Sequence, residues 1–359
     1  MVFYIAITHI RGAKLSIAQL DEAFYDAAIL GKKLPSNDTR MEITNKIFSE
    51  VKYWYPNDLR HTAPAHISNH ISFFLFTHTL LFPKEFWPGG LSFNEMLVRN
   101  GQKMSKSKGN VIPLQNAVNE FSADLVRLFT VSSASFERVA DWKDNQVPQV
   151  RSKLNEVERT LAHAIESTDE KLLPAHEWLV ESLRVRLCEA YEAYEKFEYM
   201  YAAQKAFFET LNEVKRFKKV FGIDEAPAVK KMLKEWVLLI SPITPFLAEE
   251  LGEKAKFGKL VSTMIISKPH GKPNQAIEEQ VVFIESVLQD LEHVRKLVRG
   301  KQPKIGFIYS KDEKETQWLE SARDALAKHT QFTISINDAH DPLEKMSKAV
   351  KGRPAIYLE

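Results

Sequence analysis

The chain has 359 residues, 44% hydrophobic and 27% charged, which is the composition of an ordinary globular protein with room for two or three domains of roughly 100–200 residues each. Its net charge of +2 excludes a global field for nucleic acid, so any such contact must come from local patches. A lone cysteine, Cys188, excludes a disulfide framework and fits a reducing, cytoplasmic setting, and no apolar run approaches the ~18–20 residues of a membrane span.

Residues 1–10 are apolar at Val2, Phe3, Ile5 and Ile7 and read as buried structure, not as a targeting segment. A chain opening on a buried helix calls for a neighbour to cover it. Leu20, Phe24 and Ala27 or Ala28 recur at helical spacing and make residues 1–30 a helical pair, with Gly31 as its stop. After a polar connector at 32–40, a helix over 39–50 leads into Val51-Lys52-Tyr53-Trp54-Tyr55-Pro56, whose aromatic character predicts a strand ended by proline. Ile67, Ile71, Phe74, Leu75 and His78 predict an amphipathic helix over 65–80, followed by a short strand near Leu91 to Phe93. Strand, helix and strand at these lengths predict a βαβ unit with a parallel sheet. The segment 101–110 then falls beside the carboxyl ends of its strands.

Pro113 opens a helix carrying Leu114, Ala117, Val118 and Phe121, and a second helix carries Asp124, Arg127, Leu128 and Val131. From Pro148 the pattern turns helical, with Val150, Leu154, Val157, Leu161 and Ile165 on one stripe. One or two long helices over 174–221 and another from Pro227 to about Gly252 complete a bundle. A Gly/Pro-containing linker at 258–275 precedes alternating elements: helix 276–299, strand 305–309, helix 313–328, strand 332–336, helix 342–350 and strand 355–358. The fold class is therefore mixed: a partial Rossmann-like α/β part (1–145), an all-α bundle (146–257) and a small α/β domain (258–359).

Chemistry concentrates in Gly101-Gln102-Lys103-Met104-Ser105-Lys106-Ser107-Lys108-Gly109-Asn110. Three lysines, two serines and flanking glycines make a cationic loop rich in hydroxyl and backbone donors, suited to closing over a polyphosphate as its charge moves. The plain alternative is a solvated basic turn. The order of residues, Lys-Met-Ser-Lys-Ser then Lys-Gly-Asn, resembles the signature loop of class I aminoacyl-tRNA synthetases. Lys345-Met346-Ser347-Lys348 repeats four of the letters, but Leu343, Met346 and Val350 place it on a helix, and it is given no chemistry.

Other motifs narrow the resemblance to leucyl-tRNA synthetases of the archaeal and eukaryotic type. They are Trp54-Tyr55-Pro56 with Asp58 and Arg60, Asn69-His70 before a Phe-rich helix, Trp87-Pro88, Asn94, and Ala123-Asp124-Leu125-Val126-Arg127-Leu128. Asp141-Trp142, Ser241-Pro242-Ile243-Thr244-Pro245-Phe246-Leu247 and the closing Arg353-Pro354-Ala355-Ile356-Tyr357-Leu358-Glu359 continue it, the last resembling the family's own carboxyl terminus. The resemblance implies a leucine-tRNA ligase with ATP as substrate and Mg²⁺ accompanying it. Lys106 takes the main transition-state role and Lys103 a supporting one; Met104, Ser105 and Ser107 complete the catalytic loop, Asn69 and His70 join the lysines at ATP, and no protein metal site is implied. The sequence departs from the family in three ways. Ala63 and Ala65 stand where a glycine and an acidic residue approach the ATP ribose, Glu95 stands where glycine is usual, and the His-Ile-Gly-His segment and the inserted editing domain are absent. A partner chain supplying those parts is the expectation, alongside leucine tRNA itself and no membrane.

Basic residues cluster at Lys215, Arg216, Lys218 and Lys219 and again at Arg295, Lys296, Arg299, Lys301 and Lys304. They read either as a solvated face at helix carboxyl ends or as phosphate contacts for tRNA. The resemblance adds the carboxyl-terminal Ile356 and Tyr357 as tRNA-recognition candidates at the variable arm. A non-catalytic tRNA-binding protein derived from a synthetase is the alternative reading of the whole chain, and an isoleucyl- or valyl-type fragment another.

Overall fold

A computed structural model describes residues 2–270, 275–298 and 303–359. Met1, part of the 258–275 linker, and the basic candidates Arg299 and Lys301 lie outside the described residues. The chain forms two compact units, Met1–Met96 with Phe136–Val139, and Leu97–Ser135 with Ala140–Glu359.

In the first unit, α1 (Val2–Arg11) turns Val2, Ile5 and Ala6 inward. The helix α2 (Glu22–Leu30) starts where the Asp21 carboxylate accepts from the Phe24 N–H at 2.8 Å, and stops at Gly31, whose φ of 73° suits a residue without a Cβ. These helices pack on α3 (Met41–Trp54) through Phe24, Ala28, Ile47 and Val51. Arg40 ties the connector down, reaching Asp21 at 2.7 Å and Asp38 at 2.8 Å. The strand expected over 51–56 is corrected: Val51 to Trp54 continue α3. Val51 lies four residues after Ile47 on the same buried face, and burial there outweighs the β preference of the aromatic run.

The first strand, β1 (Arg60–Thr62), comes after the proline. It pairs in parallel with β2 (Leu91–Phe93), Arg60 opposite Leu91, and α4 (Ser72–Leu81) forms the crossover. The βαβ expectation is therefore met, with a later first strand. Of the stripe predicted on the crossover only Ile71 and His78 are buried; Ile67 and Leu75 are exposed.

In the second unit β3 (Leu97–Arg99) pairs antiparallel with β4 (Gln102–Lys103) and parallel with β5 (Ala140–Trp142). The signature segment thus grows from its own three-stranded sheet and not from the end of the βαβ pair, a correction to its expected place. Two helices follow it, α5 (Leu114–Phe121) and α6 (Ala123–Ser133). The bundle comprises α7 (Val147–Glu166), α8 (Pro174–Glu195) and α9 (Tyr199–Ala203), which runs through a π-turn into α10 (Thr210–Phe221). Leu161, Trp178, Leu183, Leu187, Phe207, Phe217 and Trp236 are sealed inside it.

The single helix expected from Pro227 is three: α11 (Ala226–Lys231), α12 (Leu233–Ile240) and α13 (Pro245–Lys254). Pro245 cannot donate an N–H to a continuing helix, so it restarts one. The Asp124 carboxylate accepts from the Leu247 N–H at 2.7 Å and the Phe246 N–H at 3.3 Å. Arg127 donates to the Pro242 carbonyl at 2.7 Å and the Ile243 carbonyl at 2.9 Å. After the linker, α14 (Gln275–Leu297) packs beneath a sheet of order β7-β6-β8, built from β6 (Ile305–Tyr309), α15 (Glu313–Thr330), β7 (Thr333–Ile336), the one-turn α16 (Lys345–Lys348) and β8 (Ala355–Leu358). β6 runs parallel to β7 and antiparallel to β8. The repeated Lys345–Lys348 string is helical, as its context predicts, though shorter than the expected 342–350.

Gly222 ends α10 with φ 67°, and a Cβ built there would lie 3.0 Å from the Ala325 Cβ on α15. Both the backbone and the close approach require glycine. Gly222→Ala should therefore destabilise the second unit by about 1–2 kcal/mol from the left-handed backbone alone, with the clash adding to it. Urea unfolding measures this, and an unchanged midpoint would show that the α10–α15 junction relaxes freely.

Candidate functional site

The loop is built from the hairpin outward. Asn100 and Gly101 both take positive φ (49° and 76°) between the paired residues Arg99 and Gln102, the two-residue turn that Asn-Gly favours. Asp141 accepts from the Gly101 N–H at 3.0 Å. Asp144 gathers Asn100 Nδ2 at 3.0 Å, Arg99 Nη2 at 3.1 Å and the Trp142 indole N–H at 3.0 Å. Burial works to raise the Asp144 carboxyl, but the hydrogen bonds from Asn100, Arg99 and Trp142 outweigh it and hold it below the ordinary carboxylate range.

Beyond the hairpin the Asn110 side chain clasps the loop across its base, donating to the Lys103 carbonyl at 3.2 Å and accepting from the Ser105 N–H at 2.9 Å. Ser105 caps a short 3₁₀ turn, Lys106–Lys108, by accepting from the Lys108 N–H, and its hydroxyl meets that of Ser107 at 3.1 Å. Gly109 closes the turn with φ 65°. Met104 is half-buried. The side chains of Lys103, Lys106 and Lys108 are exposed, and among the described residues none has an ion-pair partner. Backbone groups of Lys103, Ser105, Lys106, Lys108 and Gly109 are thus held by hydrogen bonds, while the three ammonium groups remain exposed. Asn110 stands in the signature string but was given no role from the sequence, and Asp144 was not singled out; an acid two residues past Trp142 is its only signal.

Asn69 and His70 sit in the first unit, in the π-turn Ile67–Ile71 that enters α4, and both are exposed. His70 Nε2 lies 2.8 Å from Arg60 Nη2. A guanidinium only donates, so Nε2 accepts and the ring proton resides on Nδ1, where it can donate to a ligand. Arg60 also lies over the Phe74 ring at 5.9 Å. Asn69 donates to the Ala65 carbonyl at 3.3 Å and accepts from the His70 N–H. Ala63 and Ala65 flank Pro64 in the preceding 3₁₀ turn, so that turn offers no carboxylate.

The basic candidates divide sharply. Arg216, expected to face tRNA, bonds Glu213 at 2.8 Å and Glu278 and Glu285 at 3.0 Å, and so fastens α10 to α14. Lys215 is paired with Glu156 at 2.8 Å and Lys218 with Glu225 at 2.8 Å. Ile356, with 6% exposure, belongs to the core of the last sheet and is no contact surface, while Tyr357 is half-buried against Phe307. Arg295 lies over the Phe332 ring at 5.6 Å, and Lys219 and Lys296 carry no ion pair among the described residues. His163, Asp224 and Glu225 bring ligand-type atoms within 4.8 Å of one another, but the Lys218 ammonium already occupies the cationic place beside Glu225. No helix of the described residues is long and apolar enough to cross a membrane.

Comparison with known proteins bears on both units. Residues 39–162 match the family described as tRNA synthetases class I (M), and residues 176–305 match the anticodon-binding domain of tRNA ligase. The leucine--tRNA ligase of Staphylothermus marinus is 32% identical over 323 residues, covering 86% of this chain and 33% of that protein. That of Pyrococcus abyssi is 28% identical over 352 residues, covering 92% and 36%. Among solved structures, the Agrobacterium radiobacter K84 agnB2 LeuRS, crystallised as a ternary complex with tRNA and LeuAMS, shares the fold at 20% identity with a TM-score of 0.52, over 69% of this chain and 33% of its own. The chain spans about a third of the length of the relatives it matches.

If Asp144 holds the hairpin, Asp144→Ala should speed tryptic cleavage after Lys103, Lys106 and Lys108 several-fold at neutral pH; an unchanged rate would mean the loop is held elsewhere. Because the folded Asp144 carboxyl is depressed, its stabilisation is complete above the ordinary carboxylate pKa and is lost as pH falls through the folded value. The Trp142 indole N–H resonance should accordingly titrate with a midpoint below ~3.9, and a midpoint above that would contradict the hydrogen-bonded geometry. With the loop so constructed, residues 39–162 match the class I tRNA synthetases, and most of the chain is homologous to about a third of the length of a leucine--tRNA ligase.

Proposed function

We propose that this chain is the carboxyl-terminal part of a leucine-tRNA ligase, supplying the phosphate-closing loop and the tRNA-binding bundle. A partner polypeptide would bring the His-Ile-Gly-His segment and the editing domain. The observation that carries the reading is the loop itself: Lys103, Lys106 and Lys108 stand exposed and unpaired on a backbone clasped by Asn110 and Ser105. Forming leucyl-adenylate requires a leucine carboxylate oxygen to attack the α-phosphorus of ATP while the bond to pyrophosphate breaks in line. Charge then gathers on the departing pyrophosphate, and Lys106, with Lys103 in support, meets it electrostatically. By the resemblance, Asn69 and His70 are further ATP-binding candidates, each with a side-chain donor to offer. The loop offers no carboxylate to Mg²⁺, so the ion would arrive on the ATP phosphates. On this reading residues 1–145 are the second half of the catalytic domain, 146–257 the anticodon-binding-type bundle and 258–359 a tRNA-binding domain.

One observation favours a second reading, a non-catalytic tRNA-binding protein: the turn at Ala63 and Ala65 has no carboxylate for the ATP ribose, which His66 or Thr62 could replace only in part. Leucine-dependent ATP–pyrophosphate exchange separates the two. With a co-expressed amino-terminal half, exchange should appear, and Lys106→Ala should lower it about 100-fold or more. Tight leucine-tRNA binding with no exchange in any combination would favour the second reading.

A further inference from the structure

The carboxyl ends of three helices converge in the second unit, and each ends in cations. α10 supplies Lys218 and Lys219, α14 supplies Arg295 and Lys296, and α15 supplies Lys328 and His329. Two cavities open among them, one of about 670 Å³ reached by Lys219 and Lys328, the other of about 450 Å³ reached by Arg295 and Lys296, and His329 lines both. Gly222 lets α10 approach Ala325 on α15, and Arg216 holds α14 to α10 through Glu278 and Glu285.

Cations at helix carboxyl ends commonly serve only to cap carbonyls. Here that work is done by backbone. Gly222 N–H bonds the Lys218 carbonyl, Gln331 N–H the Ala327 carbonyl and Val298 N–H the Val294 carbonyl. Among the described residues, Lys219, Lys296 and Lys328 make no ion pair and no hydrogen bond to these ends. The acids present are few. Glu225 holds Lys218 and Asp224 holds His163. Glu292 stands among Lys219, His329 and Lys296; its bond to His329 first, and then the two lysines, hold its carboxyl below the ordinary range. Cations that are neither capping nor paired, lining a cleft wide enough for a phosphodiester, have an anion as their fitting occupant.

We infer that this cleft is where the sugar–phosphate backbone of RNA is gripped, with Lys219, Lys296 and Lys328 as the phosphate contacts. The inference rests on the tRNA-binding reading and specifies which face performs it. Lys328 and His329 enter as new contributors, and Arg216 leaves the set. Lysines act here as point charges without a fixed fork, and among the described residues lining the cleft Phe332 is buried beneath Arg295 and not free to stack on a base. The grip should therefore be electrostatic and indifferent to sequence.

The test is fluorescence anisotropy of labelled leucine tRNA, and of an unrelated tRNA, with the full chain across a KCl series. The variant Lys219→Ala/Lys296→Ala/Lys328→Ala should weaken both tRNAs to the same degree. It should also lower the slope of log K against log salt by roughly one for each lysine removed. Lys254→Ala, which removes an exposed lysine paired with Glu250, should leave the slope unchanged, and the triple arginine variant should restore binding. Matching urea midpoints exclude loss of fold as the cause. If the unaltered chain binds neither tRNA, the tRNA-binding reading fails and the cleft with it. If it binds and the alanine variant binds equally well with the same slope, the cleft alone is overturned.

Discussion

Asp124 and Arg127 carry the second unit. Between α12 and α13 the chain must turn, and a turn inside a bundle leaves backbone donors and acceptors without helical partners. Asp124 takes two of the N–H groups at the start of α13, and Arg127 takes two carbonyls from the turn before it. Burying such groups unpaired would cost about 1–3 kcal/mol each, and the pair removes that cost on the inner side of the turn, where Ile243, Thr244 and Leu247 are buried. Burial pushes the Asp124 carboxyl up, which the two backbone donors oppose. From this clasp the order runs back towards the loop. α6, which holds both residues, packs Phe129 on Trp142 at 4.6 Å, and Trp142 donates to the Asp144 that fixes the hairpin. The Lys103–Asn110 loop and the helix bundle are thereby joined through one continuous chain of contacts.

Elements governed by apolar spacing could be read directly from the sequence. The stripe on α7 and the alternation of helix and strand after residue 300 follow from where apolar residues recur, and tertiary packing had no reason to overrule them; the βαβ unit was legible only in outline, since its first strand, Arg60–Thr62, carries no apolar residue. Val51 to Trp54 shows where such reading fails. Aromatic residues carry a β preference, yet Val51 shares a buried helical face with Ile47 while Tyr53 and Trp54 stay exposed, and a few tenths of a kcal/mol of propensity cannot compete with that burial. Strands of two or three residues, β3 and β4, are too short to show any period, so the sheet beneath the signature loop was invisible.

The site divides in the same way. The string from Lys103 to Ser107 announces itself because its chemistry lies in the order of its own residues. What holds it does not: Asn110 reaches back seven residues to a carbonyl, and Asp144 meets Arg99 and Asn100 across forty-odd positions of chain. Charge alone was also misleading. Arg216 and Lys219 look equivalent in sequence, but the first is enclosed by three glutamates and the second has none of its own. A basic residue becomes available to RNA only when the fold withholds acidic partners from it, and that is a property of packing.

The Asn100-Gly101 turn has a consequence for the chemical ageing of the protein. Asparagine followed by glycine is the dipeptide most prone to spontaneous deamidation, in which the glycine nitrogen loses its proton and attacks the asparagine amide carbon to close a succinimide ring. In this hairpin the Gly101 N–H is held by the Asp141 carboxylate and the Asn100 amide by Asp144. Two negative charges beside that nitrogen oppose its deprotonation, and the bonds keep nucleophile and carbonyl from rotating into line. The acids that set the loop in place thus also protect its most perishable peptide bond.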